Sequence, residues 1–219
     1  MRLIDLSQPV FAGCPHCPDD PPVTSRLVAD HAKDGWCVEE LTLTTHTGSH
    51  VDAPLHKVHG AAAVDQMPLV AFTGQAVIAD LRDSRPGHPF TSSWLARRLR
   101  VELKDRIVLI GTGWGSKRAA TDEWLQHSPY VSPDGAEWLA EQKIRGIGID
   151  HYSIGGARPH QCQRTHEIFL QAGIWIVEDL FLPDEVYGLA PPLEYWGLPI
   201  NLRGCGGSFC RPVLVVRET

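Results

Sequence analysis

Apolar residues recur along the chain in two rhythms, and each predicts a different element. Residues 38–46 (VEELTLTTH) alternate, placing Leu41 and Leu43 on one face of a strand. Residues 74–81 (GQAVIADL), 106–110 (RIVLI), 144–150 (IRGIGID), 174–180 (IWIVEDL) and 211–217 (RPVLVVR) are short apolar runs, so they read as strands, with RIVLI buried. Helical spacing follows Thr91 through Trp94, Leu95 and Leu99. Ser132 and Pro133 open a second helix carrying Trp138 and Leu139. A third covers His166–Ala172 and stops at Gly173. Residues 13–22 (GCPHCPDDPP) form a turn-rich loop. Strands interleaved with helices give an α/β class. No repeat or polar linker divides the chain, so residues 1–219 read as one domain.

Composition narrows the partners. The chain has 219 residues and a formal net charge of −6, which argues against a nucleic-acid or anionic-membrane partner, since both select basic surfaces. Arg97, Arg98 and Arg100 fit a solvated helix face. No run reaches the roughly 18 apolar residues a membrane span requires. The opening MRLIDLSQPV lacks a basic stretch followed by an apolar one, so the expected location is cytoplasmic. Cys14-x2-Cys17 and Cys205-x4-Cys210 together could form a zinc ribbon, but the pairs lie far apart and the second spacing is loose. Free thiols are the expectation for all six cysteines, including Cys37 and Cys162.

Chemistry concentrates in His46-Thr-Gly-Ser-His50-Val-Asp52-Ala-Pro-Leu-His56. The four potential ligands all fall on even positions, which share a face in extended chain. Gly48 permits a kink that draws His46 towards His50, and Pro54 turns the chain after Asp52. Imidazoles with a carboxylate suit zinc or manganese without any thiolate. The alternative is a polar strand edge in a histidine-rich protein; matched parity, glycine and proline favour a metal site.

This segment resembles the H-x-G-[TS]-H-x-D-x-P-x-H signature of metal-dependent cyclase-like hydrolases, which include bacterial kynurenine formamidases and isatin hydrolases. IDLSQPV resembles that family's N-terminal strand, and LIGTGWG at 109–115 a recurrent strand and loop. His166 to Glu178 resembles its H-x11-E segment, and LPINLRGCGGSFCRPVLVV its C-terminal strands. The resemblance implies that His46, His50 and Asp52 bind metal. It implies that His56 is the acid/base group, and that His166 and Glu178 supply a second-metal histidine and a bridging carboxylate. The implied fold is a single mixed α/β domain with a barrel-like β core and peripheral helices, of the swivelling β/β/α type, forming a homodimer. Two departures stand out. Ser49 replaces the usual threonine, and Cys17 stands where kynurenine formamidases carry a tryptophan beside the substrate.

The expected activity is hydrolysis of an amide, cyclic amide or lactone of a small-molecule substrate. One or two divalent ions would lower the pKa of water to about 7, with Asp52 and Glu178 bridging a pair roughly 3.5–4 Å apart. His56 would carry the proton. The rivals are a metal-dependent lyase or cyclase and a non-catalytic metal- or small-ligand-binding protein, which would not need His56. Among the remaining candidates, His16 could approach a pocket, and His151 or His160 could contact substrate or cap a turn. His31, His59, His88 and His127 read as surface residues, and Glu167 as facing away. Gly111-x-Gly113-x-Gly115 lacks the spacing of a phosphate loop. Trp36 and Trp114 sit in loop-like contexts.

Overall fold

The strongest apolar runs become the middle of a sheet. In the computed structural model, which describes residues 1–217, the strands in chain order are β1 (Arg2–Asp5), β2 (Thr24–Ala29), β3 (Val38–Thr42), β4 (His50–Asp52), β5 (Thr73–Asp80), β6 (Pro89–Phe90) and β7 (Ile107–Gly111). There follow β8 (Tyr130–Val131), β9 (Gly146–Ile149), β10 (Trp175–Glu178), β11 (Leu193–Trp196), β12 (Gly207–Phe209) and β13 (Val213–Val216). The helices are α1 (His31–Asp34), α2 (Ser92–Arg98), α3 (Asp122–Gln126), α4 (Pro133–Glu141) and α5 (Pro159–Gln171).

A nine-stranded sheet runs β1-β13-β11-β5-β7-β9-β10-β4-β12. Its central β5, β7, β9 and β10 are parallel and the flanking pairs antiparallel. Parallel strands need cover on both faces, which explains why Ile107–Ile110 is continuously apolar and wholly buried. Alternate residues separate into two cores. Val108, Ile110, Ile147, Ile149 and Ile176 pack with Leu95, Leu139 and Phe169 of the helices. Ile107, Leu109, Trp175 and Val177 pack with Tyr195, Leu193 and Leu214 inside the curve of the sheet. The sheet curls into a half-barrel. Consistent with that curl, Ser7, just past edge strand β1, bridges Leu180, just past β10.

The mixed α/β class and barrel-like core are therefore as expected. Two details differ. The strand expected over 38–46 stops at Thr42, because Thr44 to Thr47 form a hydrogen-bonded turn. The helix expected to begin at His166 begins at Pro159. β2 and β3 pair only with each other, as an exposed ribbon. Among the described residues, no helix is long and apolar enough to cross a membrane.

Candidate metal centre

Strand pairing assembles most of the site. β4 lies between β10 and β12, with Glu178 opposite His50 and Gly207 opposite Asp52. Directly opposed residues project to the same face, so His50, Asp52 and Glu178 share one side while Val51 enters the core. His50 Nε2 lies 3.4 Å from Asp52 Oδ1 and 3.6 Å from Glu178 Oε2. From α5, His166 Nε2 approaches Glu178 Oε1 at 3.0 Å and Asp52 Oδ2 at 3.7 Å. His46 closes the set, its Nδ1 lying 2.7 Å from Asp52 Oδ1.

The even-position argument holds for His50 and Asp52, which occupy β4. It does not explain His46 and His56. His46 returns to the site through the turn ending at Gly48, whose φ is 64°. A Cβ at Gly48 would lie 2.4 Å from Val10 Cγ2, so both backbone freedom and space require glycine there. His56 ends a 3-10 turn, Pro54–His56.

Each trio presents three donors to one point. Ligand atoms of His46, His50 and Asp52 lie within 4.8 Å of one another, as do those of Asp52, His166 and Glu178. Asp52 belongs to both. Backbone carbonyls hold two of the imidazoles. His50 Nδ1–H donates to Gly48 O at 2.8 Å, and His166 Nδ1–H donates to Cys162 O at 2.8 Å. Both Nε2 lone pairs are thereby aimed at carboxylates, the arrangement that orients metal-binding histidines. Ile154 N–H donates to Glu178 Oε1 at 2.7 Å. Asp52 Oδ2 is buried with no hydrogen-bond partner. A buried carboxylate oxygen without a donor is costly. Imidazole nitrogens converging on carboxylate oxygens, one of which has no hydrogen-bond donor, make a donor set that fits a divalent cation.

The electrostatics favour positive charge here. Burial would lower His50, but Asp52 and Glu178 outweigh it and raise its pKa to about 9. Burial opposes the charge on His166 as well, yet Glu178 and the Cys162 contact lift it well above its ordinary value. Asp52 is pushed up by burial but held well below the carboxylate range by His56, His46 and His50. His56 behaves differently. Burial takes it down to about 4, against the pull of Asp52 and with help from His46 and His166. It belongs to neither trio, while its ring centroid lies 4.2 Å from that of His46 and 5.9 Å from that of His166. A neutral imidazole therefore stands beside two charge-demanding ones. All six residues line one cavity of about 420 Å³, with Cys17, Lys57, Gln126, Tyr152 and Cys162 on its walls.

The other candidates separate cleanly. His151 is buried, donating from Nε2 to Trp124 O at 2.8 Å and accepting the Ser128 hydroxyl at Nδ1. It is a core residue and does not line the cavity. His160 is exposed in the first turn of α5. His16 is taken up by carbonyls of its own loop, Cys14 O at 2.9 Å and Asp20 O at 3.3 Å. His31, His59 and His127 are exposed, but His88 is half-buried against Phe90 and Trp94. Glu167 points away towards Arg164 and Gln163. Trp36 is exposed and Trp114 buried. The six cysteines are free thiols, and no cysteine joins a metal-holding group among the described residues.

Sequence reasoning missed the supports. A Cβ on Gly207 would lie 2.5 Å from His46 Cε1, and one on Gly206 would lie 3.0 Å from His56 Cα. The Gly206-Gly207 doublet was the legible signal. Ser49 donates its hydroxyl to Asp179 O at 2.6 Å and accepts Gln8 N–H at 2.8 Å, so the hydroxyl at this position ties together the segments just outside β1, β4 and β10.

A family model described as "Putative cyclase" matches residues 4–155. Kynurenine formamidase from Bordetella petrii is 32% identical over 216 residues, covering 97% of each chain. Kynurenine formamidase from Salinibacter ruber is 30% identical over 224 residues, covering 100% of this chain and 98% of that one. Among solved structures, isatin hydrolase A from Labrenzia aggregata, bound to benzyl benzoate, superposes with a TM-score of 0.84 at 24% identity, covering 99% of this chain and 94% of that one. That likeness bears on the fold. A structure titled as a potential metal-dependent hydrolase with cyclase activity gives 0.79 at 28% identity, covering 100% and 99%.

Proposed function

The chain belongs to the cyclase family and is a metal-dependent hydrolase of a C–N amide bond; from that premise we propose that it opens an amide or cyclic amide, and a lactone by the same acyl chemistry, beside the carboxylate of Asp52. The observation that carries this reading is a buried carboxylate shared by both trios, its Oδ2 without a hydrogen-bond partner, beside a histidine of the same cavity that belongs to neither trio. His46, His50 and Asp52 would hold one ion, and His166 and Glu178 with Asp52 a second, zinc or manganese being suited to this set. When bound, a divalent ion supplies Lewis acidity, polarising the scissile carbonyl and making water a nucleophile near neutral pH.

The residues of the chain do the rest. His56, uncharged at pH 7, accepts the proton of the attacking water at a ring nitrogen and returns it to the leaving nitrogen or oxygen. Ile154 N–H keeps Glu178 from rotating, and the Gly206-Gly207 backbone leaves room for His56 and His46. Cys17, Cys162 and Tyr152 shape the wall that meets the substrate's organic part. A metal-storage protein has no use for a neutral, non-ligating imidazole at this place, which favours hydrolysis over binding alone.

Two broader features complete the proposal. The β2–β3 ribbon exposes Leu27, Val28, Val38 and Leu41, with Trp36 in the connection between them. An isolated two-stranded ribbon is marginal in water, which supports a homodimer in which a second copy covers it. Free thiols throughout suit a reducing, cytoplasmic setting, with the chain acting as one catalytic domain. The test is elemental analysis with a panel of aryl formamides, cyclic imides and lactones. We expect one or two ions per chain and turnover within the panel. Purified protein that takes up no first-row divalent ion would end the reading, and a product formed without addition of water would make it a lyase or cyclase.

A further inference from the structure

The GTGWGS stretch was left without a role by the sequence, and the structure makes it a platform. Asp150, fully buried at the end of β9, accepts Thr112 N–H at 3.0 Å, the Thr112 hydroxyl at 2.6 Å and Gly115 N–H at 3.3 Å. The loop so fixed turns through Gly115–Lys117 and delivers Arg118 into the interior, where its side chain is 6% exposed.

Arg118 there meets three acceptor groups from two separate parts of the chain. Its Nε and Nη2 grip the Asp179 carboxylate at 3.0 and 2.8 Å. Its Nη1 donates to Pro9 O at 3.0 Å and its Nη2 to Pro15 O at 2.8 Å. Asp179 follows Glu178 directly, has a φ of 52°, and its carbonyl receives the Ser49 hydroxyl beside His50. Pro9 and Pro15 flank the start of the loop that places Cys17, Pro18, Asp19 and Asp20 on the cavity wall. That loop's other polar ties beyond residues 13–22 are Cys14 N–H to Phe11 O at 2.9 Å and Gly13 N–H to Val23 O at 3.0 Å, both close in sequence, and the Thr44 hydroxyl to Asp20 at 3.0 Å.

We propose that Arg118 is a positioning residue, clamping the substrate-facing loop 13–22 against the strand end that carries Glu178. The planar guanidinium is needed because the acceptors lie in divergent directions; an ammonium keeps the charge and the ion pair but cannot span all of them. Arg118 touches no cavity surface itself, so it acts through the loop on substrate binding. This inference rests on the hydrolase reading for its kinetic part only.

The experiment uses the metal-loaded protein carrying Arg118→Lys, with Arg118→Ala in the presence and absence of added guanidinium. Loop seating is read by Asp-N protease, which cuts before Asp19 and Asp20. For Arg118→Lys we expect a normal circular-dichroism spectrum, wild-type metal stoichiometry and faster cleavage at the loop. KM should rise about tenfold with kcat within about threefold, the scale of one lost hydrogen bond to a charged group. Guanidinium should restore protection and KM to Arg118→Ala. If that variant does not fold, the lysine variant decides alone. Unchanged protection and KM in folded Arg118→Lys would overturn the proposal. So would loss of metal in parallel with KM, since Arg118 would then be a support of the metal strand and not of the loop. Failure of the hydrolase reading shows separately, as wild-type protein without turnover, and leaves the protease result standing.

Discussion

At the scale of single residues, the site depends as much on what is missing as on what is present. Gly207 has no side chain because the His46 ring occupies that space, at 2.5 Å from where a Cβ would stand. Gly207→Ala should displace His46 and weaken metal binding about 10- to 100-fold, the usual scale for disturbing a ligand's supports. Chelator competition measures this, with Gly188→Ala as control, since nothing lies within 4 Å of a Cβ there. Equal affinities would show that His46 is not a ligand. His56 and His50 make a second pair. His56→Ala should keep its metal and lose roughly 10²–10⁴ in turnover, whereas His50→Ala should lose both. Metal loss in His56→Ala would make it a ligand. The wall residue Cys17 bears on substrate choice. It lines the cavity where the family resemblance expects a tryptophan, so formylkynurenine should be turned over poorly. Turnover matching a dedicated formamidase would refute that.

At the scale of elements, what was legible followed from periodicity. RIVLI, IRGIGID and IWIVEDL form β7, β9 and β10 because central parallel strands must be apolar on both faces. His50 and Asp52 share a face because β4 is a true strand. The positions of His46 and His56 were not derivable from that period, since one sits in a turn and the other on a 3-10 turn, where parity has no meaning. His166 and Glu178 entered through resemblance alone; their meeting depends on register between β4 and β10 and on the docking of α5, which no local pattern encodes. Arg118 and Asp150 escaped notice because their partners lie far off in sequence: Arg118 bonds Asp179 and Pro15, and Asp150 bonds Thr112. Asp150 gives this scale its prediction. Asp150→Ala would leave Thr112 N–H, the Thr112 hydroxyl and Gly115 N–H without their acceptor. Those losses should cost about 3 kcal/mol and lower Tm on the order of 10 °C in a chain of this size. A thermal melt unchanged from wild type would show that the loop does not depend on the carboxylate.

For the whole molecule, the two trios join a sheet strand, its neighbour, a helix and a turn at one point. Asp52 comes from β4 near the far edge of the sheet, Glu178 from the last central strand, His166 from a helix on the other side of the cavity, and His46 from a turn. Two carboxylates, 1% and 4% exposed, face one another across this junction. Without a cation, positive charge on His50 and His166 has to offset much of theirs, and burial opposes that charge on both. Metal removal should therefore destabilise the fold as well as abolish turnover. An ion present at 100 times its dissociation constant contributes about 2.7 kcal/mol. For a chain of this length that is roughly 5–10 °C of Tm per ion. The measurement is calorimetry of native, chelator-stripped and reconstituted protein. Stripping should lower Tm reversibly, and His50→Ala should regain less Tm on metal addition than the wild type, because only the trio of Asp52, His166 and Glu178 stays complete. His56→Ala, in contrast, should respond to metal as the wild type does, because it lies outside both trios. If stripping leaves Tm unchanged, the ions do not bridge these elements, and the shared position of Asp52 has no structural consequence.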